Sequence, residues 1–381
     1  MIICVVCDVL GAENNGTTIA AMNLIRSLRA KGYTVRVVCP DADRMGQQDF
    51  YVVRTLNVGP FNNYVKKNGV VIARASKVVL RQALDGADHV HLMTPFQLCR
   101  AALKMAREKG ISVTAGFHCQ AENVTSHLFL KDNRLANRLV YRLFYRNFFR
   151  YVDGVHYPTE FIREVFEHYG GKTNAFVISN GVSGDFRPVE VARDPAFAGK
   201  QVILFTGRYS KEKSHRVLIR AVKKSRHADE IQLVFAGNGP LEKKLKRQSA
   251  GLPNPPVFHF YAREEMLRLI NSADLYVHPA EIEIEAIACL EAITCGLVPV
   301  ISDSPRSAAR FFALDERNLF ACNKSRALAE RIDYWLEHPE EKAACGKRYI
   351  GFTEQFDFDH CMDKMEEMIL QTHAEKQKRD A

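Results

Sequence analysis

The chain has 381 residues, 47% of them hydrophobic and 25% charged, which excludes a disordered chain and fits two domains at roughly 100–200 residues each. No run approaches the roughly 20 apolar residues needed to span a bilayer. The formal net charge of +9 suits an anionic partner: a nucleotide diphosphate, an acidic lipid surface or nucleic acid.

Met1 to Cys7 has neither a basic n-region nor a small-residue cleavage site, so it reads as a first strand and not as a signal peptide. Cys4 and Cys7 have C-x-x-C spacing, but residues three apart on a strand face opposite ways and cannot share a metal. They read as buried small hydrophobes, and ten scattered cysteines without a signal fit a reducing cytoplasm.

Strand candidates in the first half are Ile2–Asp8, Thr34–Cys39, His89–Met93, Ser112–Gly116, Gly154–Tyr157 and Phe176–Ser179, with helix-period segments such as Thr18–Lys31 and Ala73–Leu84 between them. His89 and His91 share a strand face but lack a third ligand, so they are read as ordinary strand residues. A polar stretch from Asp185 to Pro195 interrupts the pattern. It resumes at Gln201–Thr206, Gln232–Ala236, Val257–Phe260, Leu275–His278 and Leu297–Ile301, and after Trp335 the chain reads as mostly helical. Such alternation predicts parallel, doubly wound α/β sheets, in domains of residues 1–184 and 185–354 with a closing helical segment, 355–381.

Ligands of such sheets bind outside the carboxyl ends of the strands. The strand at Gln201–Thr206 runs into Gly207-Arg208, with Lys213 one turn on; two cations so spaced can clamp a diphosphate leaving group. Gln232–Ala236 runs into Gly237-Asn238-Gly239-Pro240. Leu275–His278 runs into a segment carrying Glu283 and Glu291, eight residues apart. A helix beginning near Glu283 would put one carboxylate at its mouth, for sugar hydroxyls, and the other further along a similar face, for a ribose diol. No acidic pair follows a strand as a metal-dependent transferase would need, so no metal and no cofactor are expected.

Together with Ser179-Asn180-Gly181-Val182 and the Cys295–Ile301 run, these motifs resemble the retaining glycosyltransferases of family 4, bacterial lipid glycosyltransferases among them. The resemblance covers nearly the whole chain. It implies the GT-B fold, two doubly wound Rossmann-like domains facing a deep cleft, with the last helix crossing back onto the first domain. It also implies a nucleotide-sugar donor, expected to be UDP-glucose or UDP-galactose, with Arg208 and Lys213 on the diphosphate, Glu283 on the hexose and Glu291 on the ribose. Gly16, Gly207, Asn238 and Gly239 complete the implied donor site. So do Ile284, Glu285 and Ala286, which stand where the family often has Gly-Phe-Gly. His118 is the implied catalytic-site histidine, with Glu122 and Asn123 as further acceptor contacts.

Between Asn133 and Tyr151 there is no acidic residue, and Arg134, Arg138, Arg142, Arg146 and Arg150 recur every fourth position among leucines and phenylalanines. On a helix they form one slowly winding stripe whose mutual repulsion suggests an anionic partner. A second basic amphipathic segment runs from Tyr64 to Arg81. Both lie in the expected acceptor domain. The expectation is a cytoplasmic enzyme at the inner face of the plasma membrane, with a lipid acceptor of diacylglycerol or ceramide type. The alternatives are a soluble or polysaccharide acceptor, a sugar-nucleotide epimerase, and a nucleic-acid-binding protein. The last would leave the Arg208–Glu291 set unexplained, so no nucleic acid is expected.

Overall fold

The computed structural model describes residues 1–10, 16–57, 59, 73–126 and 130–380, and among these thirteen strands build two wholly parallel sheets. One unit comprises Met1–Asn180 with Cys361–Ala381, the other Gly181–His360. The boundary thus falls at Asn180/Gly181, with the closing segment joining the first unit from Cys361.

In the first unit the strands are β1 (Ile2–Val6), β2 (Thr34–Cys39), β3 (Phe50–Val52), β4 (His89–Leu92), β5 (Ser112–Gly116), β6 (Gly154–Tyr157) and β7 (Ala175–Val177). Their spatial order is β3-β2-β1-β4-β5-β6-β7. The helices are α1 (Gly16–Ala30), α2 (Lys77–Ala83), α3 (Gln97–Glu108), α4 (Ala121–Ser126), α5 (Arg134–Asn147) and α6 (Glu160–Tyr169). Burial of both sheet faces accounts for the near-continuous apolar runs of β1 and β2. Cys4 and Cys7 are fully buried, and all ten cysteines are free thiols. His89 is also buried, its two ring nitrogens each 2.8 Å from a hydroxyl, of Ser112 and Thr114. Burial pushes its pKa down to about 3, so it sits in the sheet as a neutral ring.

The second unit repeats the plan with β8 (Gln201–Thr206), β9 (Ile231–Ala236), β10 (Val257–His259), β11 (Leu275–His278), β12 (Pro299–Asp303) and β13 (Leu319–Ala321), ordered β10-β9-β8-β11-β12-β13. Its helices are α7 (His215–Val222), α8 (Glu242–Ser249), α9 (Arg263–Ser272), α10 (Ile287–Thr294), α11 (Ser325–Glu337) and α12 (Pro339–Thr353). The three-residue edge strands β3 and β13 are additions to the sequence expectation.

A last helix, α13 (Phe358–Asp380), lies against the first unit. Its Met362, Met365, Met368 and Ile369 are buried. Asp363 and Glu366 pair with Lys31, and Arg379 pairs with Asp153 at 2.6 Å.

Candidate functional site

In both sheets the order of strands reverses beside the first strand, between β1 and β4 in one unit and between β8 and β11 in the other. Loops leaving the two neighbouring strands there diverge and open a crevice at the carboxyl edge. In the second unit those loops are 207–214 and 279–286, and they meet through side chains. Lys213 Nζ donates to Glu283 Oε1, and His278 Nε2 lies 3.1 Å from the same oxygen. His278 Nδ1 lies 3.3 Å from Tyr276 Oη, which accepts from Thr206 Oγ1 at 3.0 Å. A hydrogen-bonded line therefore runs from inside the sheet to the Glu283 carboxylate. Burial by itself would raise that carboxyl, but the Lys213 ammonium and the His278 ring outweigh it and hold the pKa at about 2. Glu283 is thus ionised at any physiological pH.

The backbone around Glu283 is fixed as firmly. Its N–H donates to Arg306 O at 3.2 Å and its carbonyl accepts from Ala308 N–H at 2.9 Å. Two residues earlier, Glu281 is ion-paired to Arg306 and its carbonyl accepts from Ser304 Oγ at 2.6 Å. Glu283 is therefore not at the start of a helix, as the eight-residue spacing suggested. Ala286, at φ 64°, holds a left-handed conformation that ends the loop, and α10 begins only at Ile287. Ile284 and the buried Glu285 lie within that loop.

Glu291 stands alone of the two carboxylates on α10. Burial pushes its pKa up to about 7, with Arg263 only partly opposing. Because the folded value exceeds the ordinary 4.5, the carboxyl's contribution to stability is present below pH 4.5 and lost as pH rises to 7. Glu291→Gln is accordingly expected to match wild type near pH 4.5 and to be the more stable protein above pH 7, by about 3 kcal/mol. Thermal unfolding across that pH range checks this; a constant difference would contradict it.

Glycines of the neighbouring turns serve the protein's own packing. A Cβ on Gly237 would lie 2.2 Å from Gly207 O, and one on Gly239 would lie 2.6 Å from Tyr209 N. Tyr209 N–H donates to Asn238 O at 2.8 Å, so the 207–209 backbone fills the space that these glycines leave. Asn238 itself is exposed and Gly239 half-buried on this turn. Gly207 sits against the Phe205 ring, while Arg208 is half-buried on the same turn. Gly16 differs: it opens α1, and a Cβ there would meet nothing within 4 Å.

In the first unit His118 follows β5. Its ring folds back on Gly116, where a Cβ would come within 2.4 Å of Nε2, so only glycine permits this placement. Burial, reinforced by His156 and His91, holds its pKa well below the usual value, leaving a neutral imidazole. Glu122 is buried on α4 and its Oε2 accepts from Tyr141 Oη at 2.7 Å, which ties α4 to α5. Asn123 is half-buried on the same short helix.

Helix α5 starts at Asn133, whose side chain accepts from Ala136 N–H at 3.0 Å. Asn137 and Tyr141 are its buried positions. Arg134, Arg138, Arg142 and Arg146 are all exposed, and Arg150 is exposed just beyond its end. Beside them runs an exposed apolar row: Leu135 at 77%, Leu139 at 58% and Leu143 at 46%. Of the Tyr64–Arg81 segment, residues 64–72 lie outside the described residues, and in the rest Arg74, Lys77 and Arg81 are exposed. Among the described residues no helix is long and apolar enough to cross a membrane.

Residues 14–186 match the model of the glycosyltransferase family 4 domain, and residues 188–350 match that of the group 1 glycosyl transferases. The chain belongs to the family 4 glycosyltransferases. Two relatives of this family 4 enzyme act on lipids by name. It is 26% identical to a GDP-mannose-dependent α-(1-6)-phosphatidylinositol dimannoside mannosyltransferase of Mycobacterium tuberculosis, over 90% of each chain. It is 24% identical to the α-monoglucosyldiacylglycerol synthase of Streptococcus pneumoniae, over 77% of this chain and 69% of that one. Among solved structures, Anabaena HepE with UDP and glucose shares the fold at a TM-score of 0.75, with 16% identity over 97% of this chain and all of that one. The catalytic domain of the cholesterol-α-glucosyltransferase of Helicobacter pylori is 45% identical, over 40% of this chain and 96% of that one, at a TM-score of 0.39.

His278, Glu281 with Arg306, and Gly116 escaped the sequence reading. His278 closes the Leu275–His278 strand with a polar residue just where ligands are met, the one signal that could have marked it.

Proposed function

We propose that this enzyme transfers a hexose from a nucleoside diphosphate sugar, UDP-glucose or UDP-galactose, to a hydroxyl of a membrane lipid, with retention and without a metal. The observation that carries the proposal is the Lys213–Glu283–His278 cluster at the switch point of the second sheet. A fixed carboxylate beside an ammonium offers an acceptor for sugar hydroxyls and a cation for phosphate in one place. On donor binding, Lys213 and Arg208 face the diphosphate and Glu283 the hexose. The anomeric C–O bond breaks, its electron pair leaving on the β-phosphate oxygen, and the cations stabilise that charge. The acceptor hydroxyl attacks from the same face, forms the new glycosidic bond and gives its proton to the departing phosphate. His118, as a neutral ring, accepts or donates a hydrogen bond at the acceptor side.

The lipid acceptor draws support from the two relatives and from the exposed arginine and leucine rows of α5. Cationic and apolar rows side by side suit the surface of an anionic bilayer. A second donor, GDP-mannose, is favoured by the mycobacterial relative. Protection against thermal unfolding by UDP-glucose, UDP-galactose and GDP-mannose separates them, since the bound ligand raises apparent stability by mass action. A shift with a UDP-hexose alone is expected; a shift with none of the three defeats the proposal. Glu283→Gln should reduce the shift from the whole donor and spare that from UDP, whereas Glu291→Gln should reduce both. Identical profiles would contradict the division of roles.

A further inference from the structure

A large groove lies in the first unit, apart from the Lys213–Glu283 cluster, with a volume of about 1220 Å³. Ligand cavities commonly hold about 300–1,000 Å³, so it has room for a sizeable molecule. It opens at the carboxyl edge of the sheet, where Val9 and Phe96 follow β1 and β4, and runs along the outer face of α3. With twelve residues at 1.5 Å each, that helix gives the groove a length on the order of 18 Å. Ala101 and Leu103 of α3 form one wall, and Leu143, Phe144 and Phe148 the other. Asp8 lies in the lining, but its carboxylate is engaged by Thr94 Oγ1 and by the Leu98 and Cys99 N–H groups. Gln97 and Asn147 also line the groove, but most of the surface it exposes is apolar.

Cations mark the rim. Arg100, Lys104 and Arg107 recur on one face of α3, Lys104 within 3.9 Å of Glu108 and Arg107 stacked over the Tyr151 ring at 4.8 Å. Leu143 belongs both to the groove and to the exposed leucine row of α5, so the row and the groove meet at this residue. Apolar walls, a basic rim, an opening at the ligand edge of the sheet and this meeting with the α5 row together suit a single amphiphilic chain.

We propose that the groove between α3 and α5 receives a hydrocarbon chain of the acceptor lipid, placing the head group at the carboxyl ends of β1 and β4. The proposal rests on the lipid-acceptor reading above. It explains why a cavity of this size is lined by so few polar atoms beside an edge where a hydroxyl must be presented.

The test uses the full chain and cis-parinaric acid, a single-chain carboxylate that fluoresces on entering an apolar site. Wild type should bind it saturably, with affinity rising up to about fourfold per added methylene in a competing series of saturated fatty acids. Ala101→Trp, which fills the groove, should weaken binding at least tenfold and leave UDP protection and vesicle association unchanged. Arg100→Gln, on the exposed rim, should weaken the carboxylate probe several-fold but not the matching long-chain alcohol. Non-saturable binding to wild type, or equal binding by folded Ala101→Trp, overturns the proposal. So does an Arg100→Gln effect of the same size on acid and alcohol, if Ala101→Trp does not fold. Probe binding without hexose transfer to any lipid would leave the groove standing and defeat the function; transfer without probe binding would do the reverse.

Discussion

Lys213→Ala is expected to lower hexose transfer by about two to three orders of magnitude, the range commonly lost with one preorganised charge-stabilising donor. The variant also leaves the Glu283 carboxylate with His278 but without the ammonium that holds its pKa near 2. Both side chains are largely buried, at 21% and 12% exposed, so the unpaired carboxylate costs up to about 3 kcal/mol of stability. Activity and stability must therefore be separated. Lys213→Ala combined with Glu283→Gln removes both charges and should recover most of the urea midpoint lost in the single variant. Transfer should not recover, because the diphosphate still lacks its cation. If the double variant regains activity along with stability, Lys213 only neutralises Glu283 and the leaving-group role falls.

The second large effect concerns α5. Replacing Arg138, Arg142 and Arg146 with Glu is expected to abolish association with anionic vesicles while leaving donor protection intact. At about 1 kcal/mol for each basic residue near the surface, removing three would weaken binding by roughly a hundredfold, and reversing their sign by more. Leu135, Leu139 and Leu143 contribute the part that salt does not screen. Changing these three to Ser should leave binding to anionic vesicles at low salt but lose it at 0.5 M salt, whereas wild type retains some there. Cosedimentation reads both. Wild type that ignores anionic vesicles at low salt would make the two rows an ordinary solvated face.

Periodicity carried most of the architecture. Five strands, Thr34–Cys39, Ser112–Gly116, Gly154–Tyr157, Gln201–Thr206 and Leu275–His278, have the bounds that their β-branched and aromatic runs suggest. Phe50–Val52 and Leu319–Ala321 left no pattern because three residues at a sheet edge are too few to alternate. The order of motifs after β8, β9 and β11 pointed to one crevice, since strands of one parallel sheet end at one edge. Local backbone was less legible. Nothing in the run from Glu283 to Glu291 signals that Ala286 turns left-handed, so the helix starts four residues past the expected place. Contacts that join distant segments, such as Arg306 with Glu281 or Tyr141 with Glu122, depend on which loops the sheet brings together, and spacing along the chain does not contain that. The arginine stripe was plain in the sequence; the leucine row gained meaning only from its exposure.

The most direct measurement is product formation. The enzyme is incubated with radiolabelled UDP-glucose, UDP-galactose or GDP-mannose and anionic vesicles carrying diacylglycerol, ceramide, phosphatidylinositol or a sterol, with and without EDTA. The lipid extract is then counted and the anomer assigned by NMR. The expected result is an α-linked hexosyl lipid from a UDP-hexose, undiminished by EDTA. A β-linked product, EDTA-sensitive transfer restored by magnesium or manganese, or label found only in a water-soluble product would contradict a retaining, metal-independent lipid hexosyltransferase.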